Sequence, residues 1–198
     1  MDLSELAAAL EHPKYLSPVS AWVEHIPFAF SLVDLLQPAS VVELGTHMGD
    51  SYCAFCQEIV RRGLAAQTRA TAIYTWTGDA QAGGYSQTIL DTLRRYHDPL
   101  YAGFSRLLQS TFDDAVGQFE DGSIDLLHID GLHTYDAVRH DFETWLPKVS
   151  QRGVVLFHDT QVKRDDFGGN RLRAAAFEVH RVLARSGKPV DQIGRAHV

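Results

Sequence analysis

From residue 41 onward, short runs of apolar residues take turns with stretches whose apolar positions recur at helical spacing. The runs are Val41 to Leu44, Ala70 to Thr75, Phe104 to Leu108, Ile124 to Ile129 and Gly153 to Phe157. The stretches between them predict helices near Ser51 to Arg62, Tyr85 to Tyr96, Phe112 to Phe119 and Tyr135 to Trp145. Runs such as IDLLHID and GVVLF are apolar almost throughout, as strands covered on both faces are, and alternation with helices implies parallel crossover units. The fold class predicted is α/β, a doubly wound, mostly parallel, Rossmann-like sheet. Ligands of such sheets sit beyond the carboxyl ends of the strands, so chemistry is sought at last strand positions and the loops after them.

Ahead of the first strand, Phe28, Leu32, Leu35 and Leu36 keep helical spacing until Pro38 stops the run. Residues 1–38 therefore read as an amino-terminal helical cap, and residues 39–192 as one α/β domain. The Gly-rich connection from Thr75 to Tyr85 lies on the expected ligand side and reads equally as a mobile surface loop or as a lid or substrate loop. Ile193 to Val198, IGRAHV, match the in-frame translation of a common sequencing adapter. The natural chain is expected to be cut near Gln192, with the final strands missing, an open sheet edge, and poor solubility or homo-oligomerisation as the consequence.

With 198 residues and 45% hydrophobic content, the chain can bury a core without metal or disulfide staples. Its formal charge of -7 argues against a nucleic-acid surface, which needs clustered Lys and Arg. No stretch approaches a membrane span, and Met1 to Leu10 lacks the pattern of a signal or transit peptide, so a cytoplasmic setting is expected. Cys53 and Cys56, three apart on one predicted helix, read as buried packing rather than a redox pair.

Two segments carry chemistry. VVELGTHMGDS places Glu43 and Gly45 at a strand end, with Gly49, Asp50 and Ser51 opening a helix. Glycines there let backbone approach a ligand closely, and the free N–H groups of a helix start offer donors. The spacing is not the G-x-G-x-x-G of nicotinamide-binding sheets, which disfavours a dehydrogenase. HIDGLHTYDAV puts Asp130 at the carboxyl end of the fourth strand and His133 in the loop beyond, while LFHDT ends the fifth strand at Asp159. Neighbouring strands lie about 4.8 Å apart, so Asp130 and Asp159 could share a hard cation such as Mg²⁺. His158 could add a nitrogen ligand, although it points to the opposite face from Asp159. His133 is positioned to accept a hydroxyl proton near neutral pH. His128 reads as structural, and the role of His47 in the glycine turn is open.

Together these segments resemble class I S-adenosylmethionine-dependent methyltransferases, in the branch of macrolide sugar O-methyltransferases and cephalosporin-hydroxylase-like proteins. The likeness runs from HIPFAFSLVDLL to LFHDT. It implies strand order 3-2-1-4-5 and a cofactor site at Glu43, Gly45, Thr46, Gly49, Ser51, Trp76, Ser110, Thr111, Phe112 and Asp130. It further implies Asp130 and Asp159 as metal ligands, His133 as general base, and a sugar or glycan-related hydroxyl as acceptor. Two departures stand out: Tyr74, or Asp79 in a shifted alignment, replaces the acid that holds the ribose hydroxyls, and His158 replaces a second metal-binding acid. The rival reading is a catalytically degenerate binding module associated with a glycosyltransferase.

Overall fold

The structure is a computed structural model describing residues 11–18, 20, 22–79, 83–84, 87–158 and 178–181. Helix α1, Ile26–Leu36, leads into strand β1, Ser40–Leu44, and helix α2, Asp50–Arg61. There follow β2, Arg69–Tyr74, a small hairpin of β3, Gly78–Asp79, and β4, Gly83–Gly84, and helix α3, Thr88–Tyr101. The rest comprises β5, Ser105–Gln109, α4, Phe112–Val116, β6, Ile124–Ile129, α5, Tyr135–Trp145, β7, Val149–Phe157, and β8, Glu178–Arg181.

The main sheet runs β5-β2-β1-β6-β7-β8. Its first five strands pair in parallel, which is the 3-2-1-4-5 order. Strand β8 pairs antiparallel with β7. This one antiparallel strand adds to the five expected, and β8 is then itself the edge strand of the sheet. The adapter-like tail lies outside the described residues.

Alternation along the strands sorts side chains to the two faces. Val41, Ala70, Ala72, Leu126, Val154 and Leu156 pack against Ile26, Phe30 and Val33 of α1 and Phe55 and Ile59 of α2. On the other face Val42, Leu44, Ile73, Leu127 and Val155 meet Phe142 and Trp145 of α5. Burial of each large apolar side chain contributes roughly 1.5–3 kcal/mol, so both layers brace the strand ends.

The amino-terminal helix is shorter than predicted. A 3-10 turn at Val23–His25 precedes α1, and residues 11–18 form no helix. Polar contacts explain why: Lys14 N–H donates to Gln57 Oε1 at 2.8 Å, Tyr15 Oη–H to the Met48 carbonyl at 2.8 Å, and Ser17 N–H to Asp50 Oδ1 at 2.6 Å. These hydrogen bonds lay an extended segment along α2 and over the glycine turn. Helix α4 stops at Val116, before Gly117, rather than reaching Phe119.

Candidate active site

Strand β1 lies between β2 and β6, so its carboxyl end sits at the centre of the sheet rim. The chain leaves it through Gly45 at φ +100° and enters α2 through Gly49 at φ +90°. Gly45 N–H donates to the Ile73 carbonyl at 2.9 Å, and Asp130 N–H donates to the Leu44 carbonyl at 2.8 Å. The end of β1 is therefore tied by backbone hydrogen bonds to β2 on one side and to the start of the β6 loop on the other.

Glu43 lies beneath this turn, fully buried. Thr46 Oγ1 donates to its Oε1 at 2.6 Å, and His128 Nδ1 pairs with its Oε2 at 2.8 Å. Both oxygens are used inside the protein, so Glu43 shapes the turn from below. His128 is likewise enclosed, in keeping with a structural part. Trp76, at φ +51°, is buried against Tyr74, Leu90 and Leu93. Its Nε1–H donates to the His47 carbonyl at 2.9 Å, which pins the end of β2 to the glycine turn.

Asp130 follows β6 and is partly buried. His133 Nε2 lies 3.3 Å and His158 Nδ1 3.1 Å from its Oδ1, and Trp22 Nε1–H donates to its Oδ2 at 3.3 Å. Burial opposes the Asp130 charge, yet the hydrogen bonds of His133 and His158 and the nearby imidazoles hold its carboxyl well below the usual carboxylate range. The β6–β7 register explains why His158 arrives here. Ile129 pairs with Phe157, and His158 N–H donates to the Ile129 carbonyl at 3.1 Å, so the next rung brings Asp130 to His158. Alternation along the strand sets His158 and Asp159 on opposite faces, and Asp159 lies outside the described residues.

On the far side of the rim, Ser110 N–H donates to the Tyr74 carbonyl at 3.1 Å, and Thr111 caps α4 by accepting from Asp114 N–H at 3.1 Å. Phe112 covers Gly131, where a methyl group would lie 2.8 Å from its Cε2. Ser51 is buried in the first turn of α2. Cys53 and Cys56 are buried free thiols; burial pushes the Cys56 thiol up to about 12, which leaves it an unreactive packing group. Tyr74 is buried at the end of β2, where the resemblance leads one to expect an acid.

Asp130, His133 and His158 each present a ligand atom, all within 4.8 Å of one another. Among the described residues this cluster holds one carboxylate and two imidazoles. Mg²⁺ prefers an all-oxygen octahedral shell, whereas imidazole suits zinc, copper, iron or nickel. The described donors therefore do not fit magnesium. Trp22 completes the site, and no motif announced it; the sole signal is that it is one of three tryptophans in the chain.

A family model described as a methyltransferase domain matches residues 42–160. Among curated proteins, the uncharacterized protein y4gI of Sinorhizobium fredii is 47% identical over 167 residues, covering 84% of this chain and 18% of that protein. This chain thus spans less than a fifth of the length of that relative. Among solved structures, the O-methyltransferase TomG from Streptomyces achromogenes, in complex with SAM, aligns at TM-score 0.56 and 15% identity, over 85% of this chain and 73% of that one. The SAH-bound methyltransferase PaMTH1 from Podospora anserina aligns at TM-score 0.55 and 17% identity, over 77% and 61% of the two chains. A putative caffeoyl-CoA O-methyltransferase from Staphylococcus aureus gives TM-score 0.52 at 15% identity, over 72% and 59%. At these identities the likeness is one of fold.

Proposed function

Because this chain belongs to the family of methyltransferase domains, we propose that it transfers a methyl group from S-adenosylmethionine to a hydroxyl of a sugar or glycan-related acceptor. One observation carries the reading: the glycine turn and Asp130 share backbone contact at the rim, and Asp130 in turn holds His133 at 3.3 Å. A cofactor cradle and a carboxylate–imidazole pair thus meet at one place.

S-adenosylmethionine, when bound, supplies a methyl group already activated on a sulfonium. The protein has to align donor and acceptor and remove one proton. Gly45, Thr46, Gly49 and Ser51, with Trp76, Ser110, Thr111, Phe112 and Asp130, frame the cofactor position. Asp130 orients the imidazole of His133, which would take the hydroxyl proton as the methyl passes from the sulfonium sulfur to the acceptor oxygen, with S-adenosylhomocysteine as the leaving group. Magnesium, which the resemblance implies, does not suit the described donors, so no step is routed through it.

Calorimetry with S-adenosylmethionine and S-adenosylhomocysteine, followed by radiolabelled methyl transfer to a panel of monosaccharides and sugar nucleotides, tests the reading. Micromolar binding and label in a sugar ether support it. Binding with label going to amines or thiols would overturn the acceptor class.

A second reading has its own support. Tyr74 stands buried at the end of β2, and the relative y4gI is several times longer than the matched region. Both suit a catalytically degenerate binding module within a larger assembly, associated with a glycosyltransferase. Absence of heat with either cofactor form would favour it.

A further inference from the structure

We propose that Trp22 is a positioning residue of the candidate active site, its indole N–H fixing Oδ2 of Asp130 so that Oδ1 is held toward His133 and His158. The inference rests on the reading of Asp130 and His133 given above.

An aspartate side chain turns easily about its terminal torsion, and its two oxygens are equivalent until something distinguishes them. Indole Nε1–H is a donor only, so its hydrogen bond to Oδ2 labels one oxygen and leaves Oδ1 for the imidazoles. The ring itself is a wall of the same site. It stacks on His158 with centroids 5.4 Å apart and planes at 17°, and stands edge-on to His128 at 5.0 Å and Phe55 at 6.1 Å. Trp22 is only 4% exposed, so it has little freedom to leave.

Both flanks of Trp22 are anchored. Upstream, Ser17 N–H and Oγ–H donate to the two oxygens of Asp50 at 2.6 Å each, and Gln57 Nε2–H donates to the His12 carbonyl at 2.9 Å. Downstream, the Trp22 carbonyl accepts from His25 N–H at 2.9 Å and Ile26 N–H at 3.1 Å, and Ile26 and Phe30 of α1 are wholly buried. The amino-terminal segment is thus stitched to α2 and the core, and delivers one donor to the end of β6. The α/β sheet by itself does not complete the site.

Nuclear magnetic resonance on the full chain tests this without an acceptor. Trp22→Phe removes the donor, and benzothienylalanine at position 22 removes it while keeping the bicyclic ring. In both proteins the ring nitrogens of His133 and the carboxyl carbon of Asp130 are expected to shift, while the Trp76 indole cross-peak, bonded to the His47 carbonyl, stays in place. Asp130→Asn should conversely move the Trp22 indole cross-peak. Unchanged His133 and Asp130 resonances in the benzothienylalanine protein would make Trp22 mere packing. Calorimetry with S-adenosylhomocysteine runs alongside: loss of binding in the unsubstituted protein would defeat the methyl-transfer reading, yet leave the resonance shifts to decide on Trp22.

Discussion

Gly45 and Asp130 touch backbone to backbone, so closely that a methyl group at Gly45 would sit 1.9 Å from the Asp130 carbonyl oxygen. Gly45 also holds φ +100°, a conformation that side-chain-bearing residues rarely adopt and that costs about 1–3 kcal/mol when forced. Gly45→Ala should therefore separate the ends of β1 and β6, lower the melting temperature and abolish binding of S-adenosylhomocysteine together. Gly49→Ala is expected to be milder, since its added methyl meets the flexible end of Leu93, 2.4 Å away. Melting curves and calorimetry on both variants check the ranking. A Gly45→Ala protein with unaltered affinity would show that the contact is not needed.

Glu43 binds two partners inside the core, Thr46 and His128. Removing a buried acceptor leaves its donors desolvated and unpaired, at a cost of about 1–3 kcal/mol for each. Glu43→Ala should approach that loss in chemical denaturation. Glu43→Gln keeps an acceptor for Thr46 and should lose less. Equal stability of the two variants would mean that the acceptor kept for Thr46 contributes nothing.

The parts legible in the sequence are those written in local pattern. Apolar runs announced β1, β2, β5, β6 and β7, and ELGTHMGDS announced the glycine turn, because strand burial and tight turns depend on adjacent residues. Trp22 was illegible because its partner Asp130 is 108 residues away, and nothing near WVEH marks it. The approach of His158 to Asp130 depends on the β6–β7 register, which alternation within one strand cannot supply. Strand β8 depends on its neighbour in the same way.

His133 should reveal its part through a split between turnover and binding. With a sugar acceptor in hand, His133→Ala is expected to lower kcat by about 10²- to 10⁴-fold, the usual contribution of a positioned base. Cofactor affinity, measured by calorimetry, should stay within about twofold, because the cradle proposed at Gly45 and Gly49 is untouched. Parallel loss of both quantities would reassign His133 to the architecture of the loop.

Asp141 offers a test of stability against pH. It lies on α5, is 7% exposed, and faces Gly131, where an added methyl would be 3.2 Å from its Oδ2. Burial, with a smaller push from Asp113, outweighs the opposing pull of His140 and raises its carboxyl to about 6. In the unfolded chain the value is near 3.9. The folded state therefore holds the proton more tightly, so stability is greatest below about pH 4 and declines as the pH rises through about 6. The decline amounts to at most roughly 3 kcal/mol. Asp141→Asn cannot lose that proton, and it should flatten this part of the profile, gaining stability over the unsubstituted protein at pH 7 and little at pH 4. Denaturation curves across pH 4 to 7 measure the difference; a constant gap between the two proteins would mean that Asp141 titrates alike in the folded and unfolded chains.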